Sequence, residues 1–158
     1  MYDLLIMEDK LILLEDYLFD YKEDVVQILH EAEKNLIDLE SGRGVSSSYK
    51  DLTYLFNKLK GASFVVGVKW VSNLAVMMDD ISVKLLEIED KDTITQIVDV
   101  LFDSFDSIKN HIDGLIEGET IEDDSLFDRM QDVYNNIGAK RQRISQDDVD
   151  KLLEDLLG

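Results

Sequence analysis

The sequence predicts an all-α protein: an antiparallel four-helix bundle, then a short fifth helix and a terminal amphipathic helix. Three observations carry that expectation. Apolar residues recur at steps of three and four through most of the chain, the spacing that lines one face of a helix. Its 158 residues include no proline, so the commonest helix breaker is absent. Glycines fall where the apolar stripes pause, at Gly42, Gly44, Gly67 and Gly138. A chain of this length makes one domain, with or without an appendage, and can bury a proper core.

Residues 1–17 read as an N-terminal extension. Leu4, Leu5, Met7, Leu11, Ile12, Leu13 and Leu14 are apolar, but the run from Leu11 to Leu14 fits no single helical stripe. No glycine interrupts the chain before Gly42, so the extension is expected to prolong the first helix. Packing against its own bundle is the preferred reading, and a homodimer contact is the alternative.

The bundle is expected over residues 18–138. Val25, Leu29, Ala32, Leu36 and Leu39 form its first clean stripe, ended by Ser41-Gly42-Arg43-Gly44. The Ser46-Ser47-Ser48 cluster is expected to cap a second helix, whose buried stripe runs through Tyr49, Leu52, Phe56, Leu59, Ser63 and Val66. Gly67 breaks the chain. Val71, Leu74, Met78, Ile81, Leu85 and Ile88 make a third stripe, and Ile94, Val98, Leu101, Phe105, Ile108, Ile112 and Leu115 a fourth. Four such stripes joined by short loops make an antiparallel bundle. An acidic loop, Glu117 to Asp124, leads to the shorter fifth helix, marked by Leu126, Met130, Val133 and Ile137 and stopped by Gly138.

Residues 139–158 read as a linker and a tail. Lys140, Arg141 and Arg143 are the one basic cluster. Ser145 with Asp148 resembles a capping box, and Val149, Leu152, Leu153, Leu156 and Leu157 line an apolar face. A helix this short is marginal alone in water, so it is expected to order against a partner. Docking on its own bundle is the blander alternative.

The most informative stretch lies on the second helix: Asn57-Lys58-Leu59-Lys60-Gly61-Ala62-Ser63. At 100° per residue Asn57 falls about 140° from the centre of the buried stripe, facing outward. Lys60, Gly61 and Phe64 fall near the same meridian. A glycine in mid-helix costs about 1 kcal/mol relative to alanine, and close approach by another surface is the usual compensation.

These residues resemble the histidine-phosphotransfer (HPt) motif, H-x-[LI]-K-G-x-[SA], of CheA-type chemotaxis kinases. Lys60 and Gly61 match, as does Gly67 ten residues past the motif's first position. The lead-in Glu31-Ala32-Glu33, with Leu36, Leu39 and Glu40, fits as well, and the likeness covers residues 18–138. The resemblance implies an HPt-type bundle and places Asp79 where the family keeps a carboxylate that holds the histidine ring. Asn57 stands where the family has the phosphorylated histidine. The tail resembles the C-terminal peptide of CheZ-type phosphatases and, less closely, the N-terminal segment of FliM-type switch proteins. Both families bind the response regulator CheY with it.

Chemistry narrows what the resemblance implies. A neutral imidazole has a free lone pair near pH 7 and accepts a phosphoryl group. An amide nitrogen, its lone pair delocalised into the carbonyl, does not. The other histidines, His30 and His111, flank core stripes and read as satisfied boundary residues. What survives is the docking face of Asn57, Lys60, Gly61, Phe64 and Asp79. The expectation is an adaptor that binds a CheY-type receiver without exchanging phosphate. The alternative is an auxiliary phosphatase in which Asn57 orients the hydrolytic water, as glutamine does in GTPases, and the tail recruits the receiver.

Composition limits the other classes. The formal charge of −19 argues against nucleic acid and anionic membrane. No cysteine is present, so disulfides and thiolate chemistry are excluded and a reducing, cytoplasmic setting is expected. Neither a membrane span nor a signal peptide is read. No cofactor or metal is expected on this chain, magnesium belonging to the receiver partner. There is no G-x-S-x-G, H-E-x-x-H or phosphate-cradling glycine loop.

Overall fold

A computed structural model describes the backbone of residues 2–42 and 45–157, and the side chains of 17–42, 48–85, 87–137, 150, 151 and 153–157. Among the described residues the helical periodicity becomes five α-helices. They are α1 (Tyr2–Glu40), α2 (Val45–Val65), α3 (Lys69–Val83), α4 (Lys91–Ile116) and α5 (Asp124–Leu157). A 3₁₀ turn, Lys84–Glu87, follows α3. At the start of α4 the Thr93 hydroxyl donates to the Asp90 carboxylate at 2.6 Å.

The stripes read for the bundle helices face the interior, with Tyr49 half-buried at the edge. Helix α2 packs most extensively on α3 and α1, α4 lies against α1 and α3, and α5 lies on the α3–α4 side. Phe56 of α2 and Phe105 of α4 meet on the diagonal with ring centroids 6.2 Å apart, and Leu29, Leu36, Leu52, Leu59, Leu74, Met78, Leu101 and Ile108 are fully buried around them. Burying each such side chain stabilises the fold by about 1.5–3 kcal/mol. Buried polar groups are mostly paired. The Tyr21 and Ser63 hydroxyls share a hydrogen bond of 2.5 Å between α1 and α2, and Ser104 donates to the Val100 carbonyl at 2.6 Å.

The two histidines, both read as boundary residues, separate in the structure. His30 is exposed. His111 is buried, its Nδ1–H donating to the Ile121 carbonyl at 2.6 Å, with its ring 4.7 Å from that of Trp70. The bond holds the α4–α5 loop down. Gly114 makes room for it, since a Cβ there would meet Ile121 Cδ1 at 3.0 Å.

Three local expectations are corrected. Helix α2 begins at Val45, so Ser46-Ser47-Ser48 lies in its first turn rather than capping it. Gly138 does not stop the fifth helix, because α5 continues to Leu157; the expected linker after 138 and the separate start at Ser145 are not breaks in the backbone. The physical reason is propagation. A helix already nucleated needs one favourable step per residue, and Ala139, Lys140, Arg141, Gln142 and Arg143 are strong helix formers that outweigh one glycine. Helix α1 runs unbroken from Tyr2, as the absence of early glycines implied. The side chains of residues 1–16, on which the homodimer alternative rests, lie outside the described residues.

Candidate functional site

Gly67 sets the geometry of the site. Its φ of +80° suits a residue without Cβ. The Val68 N–H donates to the Ser63 carbonyl at 2.9 Å and the Gly67 N–H to the Phe64 carbonyl at 3.1 Å. This paired closure satisfies the last carbonyls of α2 and turns the chain into α3, which runs back along α2. Ser72 of α3 then donates to the Lys60 carbonyl at 3.3 Å. Asp79, two turns further on, comes within electrostatic reach of Lys60.

The outward face of α2 carries Asn57, Lys60, Gly61 and Phe64, all exposed. Phe64 is 76% exposed and the adjacent Val65 83%, so α2 ends on an apolar edge open to solvent. Gly61 is not required by packing, since a Cβ at that position would meet nothing within 4 Å. Its helix-propensity cost of about 1 kcal/mol is therefore uncompensated within the chain.

Asn57 does not bond Asp79, the carboxylate that the resemblance sets beside the motif's first position. Its Nδ2 donates instead to the Thr53 carbonyl one turn back, at 3.0 Å, the bond that a short polar side chain in a helix interior commonly makes. That leaves Oδ1 as the amide's acceptor, on an exposed residue. Asp79 keeps its Oδ1 buried without a partner, and Thr53 Oγ1 is buried and unpartnered too. Burial first, then the neighbouring Asp80, push the Asp79 carboxyl above its ordinary range, and the Lys60 charge opposes them. The site thus combines an exposed amide, a cation, a stretch of bare backbone, an apolar edge and a carboxylate that desolvation holds ready for a proton or a donor.

The tail residues do not join this site. Leu153, Leu156 and Leu157 are 50%, 77% and 85% exposed, near the end of α5, while the Val149 and Leu152 side chains lie outside the described residues. Thr53 and Val65 were missed in the sequence. Asn57's own place in mid-helix was the signal for the Thr53 bond. Among the described residues no group of His, Cys, Asp or Glu is placed to hold a metal ion, and no helix is long and apolar enough to cross a membrane.

No protein-family model matches the chain, and no curated protein matches it. A solved structure does: the phosphorylated P1 domain of CheA3 in complex with CheY6 from R. sphaeroides. It superposes with a TM-score of 0.64 at 19% sequence identity, over 79% of this chain and 98% of that one. The chain therefore has the all-α, HPt-type bundle fold of a CheA P1 domain.

Proposed function

We propose that this chain is a pseudo-phosphotransfer domain, a receiver-binding adaptor of chemotaxis or two-component signalling. In this reading a CheY-type receiver seats on the α2 face at Asn57, Lys60, Gly61 and Phe64, with Asp79 behind it, and the apolar end of α5 (Val149, Leu152, Leu153, Leu156) gives a second contact. The reading is supported by the CheA P1-type fold together with an exposed Asn57, which the motif resemblance sets where the phosphorylated histidine would stand. The similar P1 domain was solved in complex with a CheY protein. An amide there cannot be phosphorylated, while the features suited to docking are retained: the Lys60 cation for long-range attraction, open backbone at Gly61 and an exposed aromatic at Phe64.

A second reading draws on the Asn57 geometry. With Nδ2 tied to Thr53, the amide is held in one orientation, and Oδ1 can accept a hydrogen from a water attacking an aspartyl phosphate. Both readings use the same face and need no cofactor on this chain; magnesium would come with the receiver. One experiment separates them. A CheY-type receiver charged with radiolabelled acetyl phosphate is mixed with the chain, and binding, transfer and phosphate release are followed. The adaptor reading expects binding, no label on the chain, and an unchanged phosphate lifetime. Accelerated release that Asn57→Ala slows about 10²-fold would instead establish the phosphatase. Acid-labile label on the chain, or no binding, would sink both.

A further inference from the structure

Distances along α5 bear on how the two contacts work together. Ser104 Oγ lies 3.7 Å from Met130 Sδ, and Phe56 packs on Phe105, so Asn57, next to Phe56, stands level with Met130. Leu153 to Leu157 follow Met130 by about 23 to 27 residues of unbroken helix. At 1.5 Å per residue that places them about 35–40 Å further along the bundle axis. The arm is anchored at its base. Leu126, Met130 and Ile137 are buried, Arg129 pairs with Asp103 at 2.6 Å, and the Lys84 ammonium lies 5.6 Å from the centre of the Tyr134 ring. A receiver of roughly 120 residues has a radius of gyration near 14 Å and is about 35 Å across. Centred on Asn57, it reaches only about 18 Å along the axis.

We propose that the chain holds two receivers at once, one on the α2 face at Asn57 and one on the α5 arm at Leu153 to Leu157, rather than clamping a single receiver between them. This rests on the receiver-binding reading above. A flexible linker after Gly138 would have allowed the tail to fold back and grip the receiver already docked, with the gain in affinity that tethering brings; a continuous helix removes that route. The two contacts also differ in chemistry. The α2 face offers Lys60 and an aromatic edge, whereas the arm shows leucines flanked by the exposed carboxylates of Asp150, Glu154 and Asp155. They therefore select different surfaces of the receiver and do not compete.

The test is calorimetric titration of the full chain with a CheY-type receiver, with sedimentation velocity to read the size of the complex. Two receivers per chain are expected. The pair Leu153→Ala and Leu156→Ala should reduce this to one and leave the remaining Kd within about twofold. The pair Lys60→Glu and Phe64→Ala should do the same for the other site. All four side chains are exposed, so the fold should be untouched. One receiver per chain, with both pairs weakening the same binding event, would overturn the two-receiver arrangement while leaving the adaptor reading intact. No binding at all would overturn both, and a chain that dimerises through its arm, reverting to monomer in the leucine double variant, would also overturn it.

Discussion

The two halves of α5 are one helix held by different forces. In the first half Leu126 and Met130 are fully buried and Ile137 is 5% exposed, so hydrophobic burial sets the helix in place. In the second half Leu153, Leu156 and Leu157 point outward, and the helix exists because the first half has already nucleated it. Continuity of a helix is thus no guide to what it covers. The same contrast separates the two sides of α2, where Phe56 and Leu59 are 0% exposed while Phe64 is 76% exposed.

Breaking the covered side should have the largest effect. Met130→Ala leaves a cavity against Ser104 and should cost about 2–5 kcal/mol, whereas Leu156→Ala should fall within about 0.5 kcal/mol of the parent protein. Urea denaturation of both variants checks this. Equal losses would mean that the arm is packed after all.

Alkaline pH probes the covered side through Tyr21. Burial pushes its phenol up to about 12, against the smaller opposing effect of the Ser63 hydrogen bond. The folded state therefore keeps this proton when the unfolded chain has lost it. Its contribution is complete below the ordinary phenol value near 10 and disappears as pH rises to about 12, a loss of up to about 3 kcal/mol. Tyr21→Phe should flatten that decline relative to the parent, measured as denaturation midpoints across the same range.

The uncovered side yields smaller and opposite effects. Gly61→Ala should stabilise the protein by about 1 kcal/mol, because nothing lies within 4 Å of the added methyl, and should weaken receiver binding if the bare backbone is a contact. Asp79→Asn should stabilise by less than about 1 kcal/mol at pH 7. Its carboxyl is held above the usual range by burial and by Asp80, so the folded state disfavours the charge. Solvent screening keeps the effect small, and the gain should fade as pH falls through the raised value and protonation removes the charge. A destabilised Asp79→Asn protein would mean that the carboxylate has a partner in solution.

The bundle was legible in the sequence because burial writes itself as periodicity. Val25, Leu29, Ala32 and Leu36 sit where spacing alone put them, and so do the stripes of α2, α3 and α4. Asn57, Lys60, Gly61 and Phe64 were equally legible as an outward face, since helical angle follows from numbering. Two things were not. The partner of the Asn57 amide depends on a rotamer, and a carbonyl one turn back on the same helix competes for it. The fate of Gly138 depends on its flanks. Gly67 ends a helix with paired hydrogen bonds that close the turn, while Gly138 is followed by a run of strong helix formers, and the letter is the same in both.

Whether the α2 face around Asn57 seats a receiver domain can be measured directly. Amide chemical-shift mapping of the labelled chain, titrated with a CheY-type receiver, tests it residue by residue. Shifts are expected to centre on Asn57, Lys60, Gly61 and Phe64, with a second separate set at Leu153 to Leu157 and silence at Phe19, Val26 and Ile37 on the outer side of α1. Shifts confined to α1, or none at saturating receiver, would contradict receiver binding at this face.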